Sequence, residues 1–244
     1  MPTVAYDPTT HLVKPEPADD SVSSGFVNVT SVLDYVSLTA WLNEAIEGLT
    51  GCDVLGTMVS PLSGDWEKVS TYGTALTNLS RCLRGIADNV DVANVDLDLH
   101  WNGNAADAAY VYFSSASRSL SAHADAVERA AGQYQKLALD VWHFTEVLKG
   151  FLQSIVDQAL LVLVFSAAGT ALLETGVGAV AGYALAALEL VNLIKTINKA
   201  SAVVQAANVA FQTSFSTLTG IFKEVEDLGS IPTVNTVYDH PTAK

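Results

Sequence analysis

None of the seven prolines in this chain falls between residues 62 and 231. Proline removes a backbone donor and breaks helix interiors, so this long proline-free stretch leaves helices free to run. Across most of it, apolar residues recur at intervals of three, four and seven, and the longest such run, 113–151, shows no alternation with period two. The expected fold class is therefore all-α. The spacing predicts an elongated helical bundle built on an antiparallel helical hairpin, plus an apolar C-terminal helical pair.

The segments divide by composition. Residues 1–30 are rich in Pro, Asp and Ser and read as a disordered acidic leader. Residues 31–62 hold a first helix, with Val32, Tyr35, Val36, Leu42 and Ile46 on one face, followed by a connector broken at Pro61 and Gly64. Residues 63–150 hold the hairpin. Its first seam is Trp66, Val69, Leu76, Leu79, Leu83, Ile86 and Val90, fading into a polar connection through Asp88, Asp91, Asp96 and Asp98. A longer seam from Phe113 through Ala124, Ala131 and Tyr134 to Phe151 follows, in a helix of roughly 40 residues.

Residues 151–228 are Ala- and Gly-rich helices, joined near Gly169 or across 174–178. A final amphipathic helix over 198–228 carries Val204, Ala207, Phe211, Phe215, Leu218 and Phe222 on one side. Residues 229–244, with two prolines, read as a disordered tail. Within 155–195 the uncharged runs between Asp157, Glu174 and Glu189 are 16 and 14 residues long, shorter than the roughly 20 of a transmembrane helix. A buried helical hairpin and a membrane-inserting or oligomer-forming segment both fit that pattern.

Chemistry is sparse. The five histidines lie apart from one another and from any close Asp/Glu set, and Cys52 and Cys82 form no CxxC, so no metal site is expected. The two cysteines read as buried thiols, or as one disulfide if the protein is exported. Gly176, Gly178 and Gly182 superficially suggest a dinucleotide loop. No strand precedes them, and small-residue helix packing at Gly178 and Gly182 explains them better. Neither a nucleophile elbow nor a phosphate loop is present, so no catalytic residue and no cofactor are assigned, and the chain does not read as an enzyme. A net charge of −14 argues against nucleic acid as a partner.

Between the two hairpin seams stands Trp101-Asn102-Gly103, followed at once by Asn104-Ala-Ala-Asp-Ala-Ala. Gly103 suits the backbone of a tight bend, Asn102 or Asn104 can cap the next helix, and Ala105, Ala106 and Ala109 let helices approach closely. Trp101 either packs across the bend or stays exposed as an anchor. WNGNAADAA, after an amphipathic helix that opens at Gly64-Asp65-Trp66, resembles the WXG superfamily of type VII (ESX) secretion substrates. It is most similar to the long, toxin-carrier form found in actinobacteria.

The resemblance implies a non-enzymatic helical carrier or partner protein that acts through helix–helix interaction. It would be made in the cytoplasm and exported to the exterior or cell surface without a cleaved Sec signal. Its partners would be the secretion machinery and another WXG-type helical protein or a second copy of itself. The family's Tyr-x-x-x-Asp/Glu signal is missing here, since no tyrosine has an acid four residues on. Trp142 and Glu146 stand in that place and are the candidate surrogate, against the plainer reading of Trp142 as core and Glu146 as surface. No cargo domain follows by residue 244, so a stand-alone substrate, a truncated carrier and an accompanying partner all fit. The alternatives are a membrane-active or ring-forming secreted protein using 155–195, and a cytosolic helical scaffold.

Overall fold

A computed structural model describes residues 6–18, 39–51 and 53–228. All regular structure among them is helical: α1 (Thr39–Thr50), α2 (Val54–Val59), α3 (Trp66–His100), α4 (Asn104–Ala171) and α5 (Val177–Asp227), with short 3-10 turns at Pro8–His11, Ser60–Leu62 and Leu173–Thr175. The protein is an all-α helical bundle. It divides into two compact units, one of Met1–Asp20, Glu67–Leu137 and Thr213–Lys244, the other of Ser21–Trp66 and Ala138–Gln212.

In the first unit α3 and α4 lie antiparallel, and their contact is made by small residues. Gly73 faces Ala131, where a Cβ on the glycine would stand 3.1 Å from the Ala131 carbonyl oxygen. One heptad on, Ser80 Oγ lies 2.8 Å from both the Ala124 carbonyl and the Glu128 carboxylate, and donates to one or the other. A further heptad on, Ser117 Oγ donates to the Ala87 carbonyl (3.1 Å). The last of the series is Asn94, whose Nδ2 donates to the Tyr110 carbonyl and to Ser114 Oγ, each at 3.0 Å. Seven residues make nearly two helical turns, so Gly73, Ser80, Ala87 and Asn94 form one stripe, stepping against Ala131, Ala124, Ser117 and Tyr110. Side chains this small let polar atoms reach the main chain of the facing helix.

This differs from the large-residue seam expected of α3. Leu79 and Ile86 are exposed, and Leu76, Leu83 and Val90 are only half-buried. The connection expected at 88–98 is also helical, because its aspartates all point to solvent while Asn94 is buried and bonded. A few tenths of a kcal/mol of poor helix propensity per aspartate is outweighed by that packing. On the other side of α4, Ala126 and Ala130 pack with Leu218 and Ile221 of α5, joined by Leu76, Tyr134 and Val225. Arg129 pairs with Glu224 at 2.6 Å. Phe215 and Phe222, expected on the inner side of α5, are exposed.

Residues 6–18 are not the free leader that their composition suggests. Asp7 caps the 3-10 turn through Thr9 N–H (3.0 Å) and Thr9 Oγ1 (2.7 Å). The Thr9 bonds hold the Asp7 carboxyl below its ordinary pKa. Three polar side chains of α3 then hold the segment by its backbone: Asn89 Nδ2 donates to Tyr6 O (2.6 Å), Asn78 Nδ2 to Val13 O (3.3 Å), and Ser70 Oγ accepts from Ala18 N–H (3.0 Å). Pro8 lies over Gly85, where a Cβ would come within 2.8 Å of it. Prolines at 8, 15 and 17 restrict the unfolded chain, so fixing this segment costs less conformational entropy. The rest of the expected leader, and the tail at 229–244, lie outside the described residues.

In the second unit the expected connector contains α2, capped by Asp53 through Gly56 N–H (2.9 Å). Val54, Leu55, Met58, Val59 and Leu62 are buried. Trp66 donates from Nε1 to the Leu62 carbonyl (2.9 Å) and stacks on Phe211, with centroids 5.6 Å apart. α4 passes through the compositional boundary at 150 without a break and turns back only at 172–176. α5 likewise begins at Val177 rather than near 198. Cys82 is a buried free thiol of the first unit; Cys52 lies outside the described residues.

Candidate functional site

The Trp-Asn-Gly segment is the whole connection between α3 and α4. α3 closes as Trp101 N–H donates to the Leu97 carbonyl (2.9 Å). Gly103 has φ +106°, a conformation that a Cβ would strain. Its carbonyl accepts from Asp107 N–H at 3.0 Å, so Gly103 itself holds the N-cap position expected of Asn102 or Asn104. Asn102 precedes the cap, and Asn104 is the first helical residue.

Trp101 is 42% exposed, and Asn102 and Gly103 are exposed beside it. The indole therefore does not lock the bend from inside. Ala106 is buried, while Ala105 and Ala109 are half-buried along the first turns of α4. Around the bend the surface is apolar, with Leu99, Val95, Tyr110 and Val111 all exposed. Val90, Ala93, Asn94, Leu97 and Phe113 line a shallow depression of about 290 Å³. Asp88, Asp91, Asp96, Asp98 and Asp107 are exposed elsewhere on the same stretches of α3 and α4. An exposed aromatic beside a shallow apolar depression suits a surface that meets another protein.

The other sequence candidates lie in the second unit. Trp142 is half-buried against the His143 ring (4.9 Å between centroids), and Glu146 is exposed and paired with Lys149. Gly182 lies against Gly169, where a Cβ would come within 2.6 Å of the Gly169 Cα. A Cβ on Gly178 would meet Thr175 Oγ1 at 2.7 Å and Leu172 Cβ at 2.9 Å.

Among the described residues, no three His, Cys, Asp or Glu side chains gather as a metal-binding group. A second depression, of about 330 Å³, is lined by Tyr6, His11, Arg81, Arg84, Asp88 and Asn89. It was invisible in the sequence because the segment that walls it read as disordered. The remaining signal was the spacing of Ser70, Asn78 and Asn89, which share one face of α3. No protein-family model, no curated protein and no solved structure matches the chain.

Proposed function

We propose that this protein is a non-enzymatic substrate, carrier or partner protein of a type VII (ESX) secretion system, and that it acts through helix–helix interaction. The observation that carries the reading is the exposed Trp101 on a three-residue bend between two antiparallel helices, next to Gly103 at φ +106°. A tryptophan has a large apolar surface whose burial is favourable, so leaving it exposed makes sense when a partner covers it. The partner would be the secretion machinery, with another WXG-type helical protein or a second copy of this chain alongside. Trp142 and Glu146 are the surrogate for the missing tyrosine signal, although Lys149 competes for the Glu146 carboxylate.

Export is tested by comparing culture filtrates of strains with and without the system's ATPase. The protein is expected outside the cell only when the ATPase is present. Trp101→Ala and Gly103→Val are expected to abolish export while the purified variants keep their helical circular dichroism. Secretion that persists without the ATPase, or retention in the cytosol of both strains, would sink the proposal.

A further inference from the structure

We infer that residues 158–188, the hairpin of α4 and α5 around the turn at 172–176, insert into a lipid bilayer of neutral headgroups, with Asp157 and Glu189 held at the near headgroup plane. This inference stands independently of the export reading.

Four observations point to lipid as the occupant. First, Asp157 and Glu189 bound the uncharged arms at nearly equal distances from the turn, so the charge boundary crosses both helices at one level. A bilayer has such a plane; a protein partner does not require one. Lys195 and Lys199, both exposed, follow just outside it, where cations meet lipid phosphates. Second, the exposure is broad. Val177 is 83% and Val180 71% exposed, and with Tyr183, Leu185, Leu188 and Val191 the exposed apolar arc of α5 covers roughly 200° at 100° per residue. One partner helix covers a stripe of only about 100°.

Third, the threonine hydroxyls and the backbone of the turn are satisfied internally, as hydrocarbon requires. Among the described residues of the arms, the one buried side-chain atom that has no partner, Gln158 Oε1, lies beside Asp157 at the headgroup end. Thr170 Oγ1 donates to Ser166 O (2.9 Å) and lies 3.1 Å from the Tyr183 hydroxyl, while Thr175 Oγ1 donates to Leu172 O (2.8 Å). At the turn, Thr175 N–H bonds Leu172 O, Gly176 N–H bonds Leu173 O, and Val180 N–H bonds Gly176 O. Fourth, the arms hold each other by direct backbone contact at Gly169 and Gly182, the packing that works without a hydrophobic drive between helices.

The arms measure about 21 to 24 Å at 1.5 Å per residue, against a hydrocarbon core of about 30 Å. The turn at 172–176 therefore reaches the far headgroups only where the bilayer is thin. With a net charge of −14, the chain is repelled by anionic surfaces, which selects neutral lipid.

The test is co-flotation of the full chain with phosphatidylcholine vesicles of 14-carbon or 22-carbon acyl chains. Binding is expected to be at least about tenfold stronger to the thin vesicles. Val180→Asp and Leu185→Asp, both within the hydrocarbon band, are each expected to weaken it about a hundredfold, whereas Val209→Asp, also exposed but outside the band, leaves it unchanged. Circular dichroism of each variant checks that the fold survives. Absence of flotation, or flotation indifferent to chain length and to the aspartates, overturns the inference. So does a large assembly on sedimentation that Val180→Asp converts to monomer, because a second copy then covers the band.

Discussion

Gly150 and Gly182 both lie in helix interiors of the second unit, yet alanine should act on them in opposite directions. A Cβ on Gly150 meets nothing within 4 Å. Gly150→Ala is therefore expected to stabilise by up to about 1 kcal/mol through helix propensity alone. Gly182→Ala gains the same term but drives its methyl into the Gly169 backbone, which cannot rotate away. A net loss of about 1–2 kcal/mol is expected. Urea midpoints of the two variants decide it, and equal shifts would remove the case for backbone contact. Tyr134, half-buried and edge-on to Tyr72 at 5.0 Å, has its phenol pushed above the ordinary value of 10.0, first by burial and then by Tyr72. With the folded pKa above the unfolded one, its neutral form is favoured in the native state. Stability is unaffected below pH 10 and falls as pH rises through and beyond it. Tyr134→Phe should flatten that alkaline decline, read from unfolding midpoints between pH 9 and 11.

At the scale of helices, the contact between α3 and α4 depends on polar atoms reaching across to main chain. Ser80→Ala and Asn94→Ala are each expected to cost about 1 kcal/mol in urea denaturation. Ser80→Leu should cost more, since the facing Ala124 carbonyl leaves no room. The all-α class was legible because the absence of proline and the helical spacing do not depend on tertiary context. Which face of α3 is buried was not. Hydrophobicity ranks Leu79 and Ile86 above Ser80 and Asn94, but close approach selects for small volume, and the hydroxyls and amide find partners only once α4 is in place. The same logic hid the path of residues 6–18, whose backbone is held by Ser70, Asn78 and Asn89 rather than by apolar burial. Hydrogen exchange tests that path: the Ala18 amide should be protected, and Ser70→Ala should release it.

At the scale of the whole molecule, charge and exposed apolar surface act against each other. The net charge of −14 keeps the chains apart at neutral pH. Near the isoelectric point of about 4.5 that repulsion disappears while Val177, Val180 and Leu188 remain exposed. Turbidity is expected to peak there, and Val180→Asp with Leu188→Asp should reduce it. The bend was legible as a bend from Gly103 beside helix-forming alanines. The exposure of Trp101 was not, because a tryptophan between two helices satisfies either environment. The repeating contact of α3 and α4 also has a consequence for length. Each facing pair, Gly73 with Ala131 through Asn94 with Tyr110, is displaced by seven residues on both helices, so the pairs are interchangeable rungs. Excising 88–94 together with 110–116 should give a hairpin one rung shorter with its bend intact. Removing either segment alone throws every remaining residue on the bend side out of step, so the helices can change length only in matched heptads.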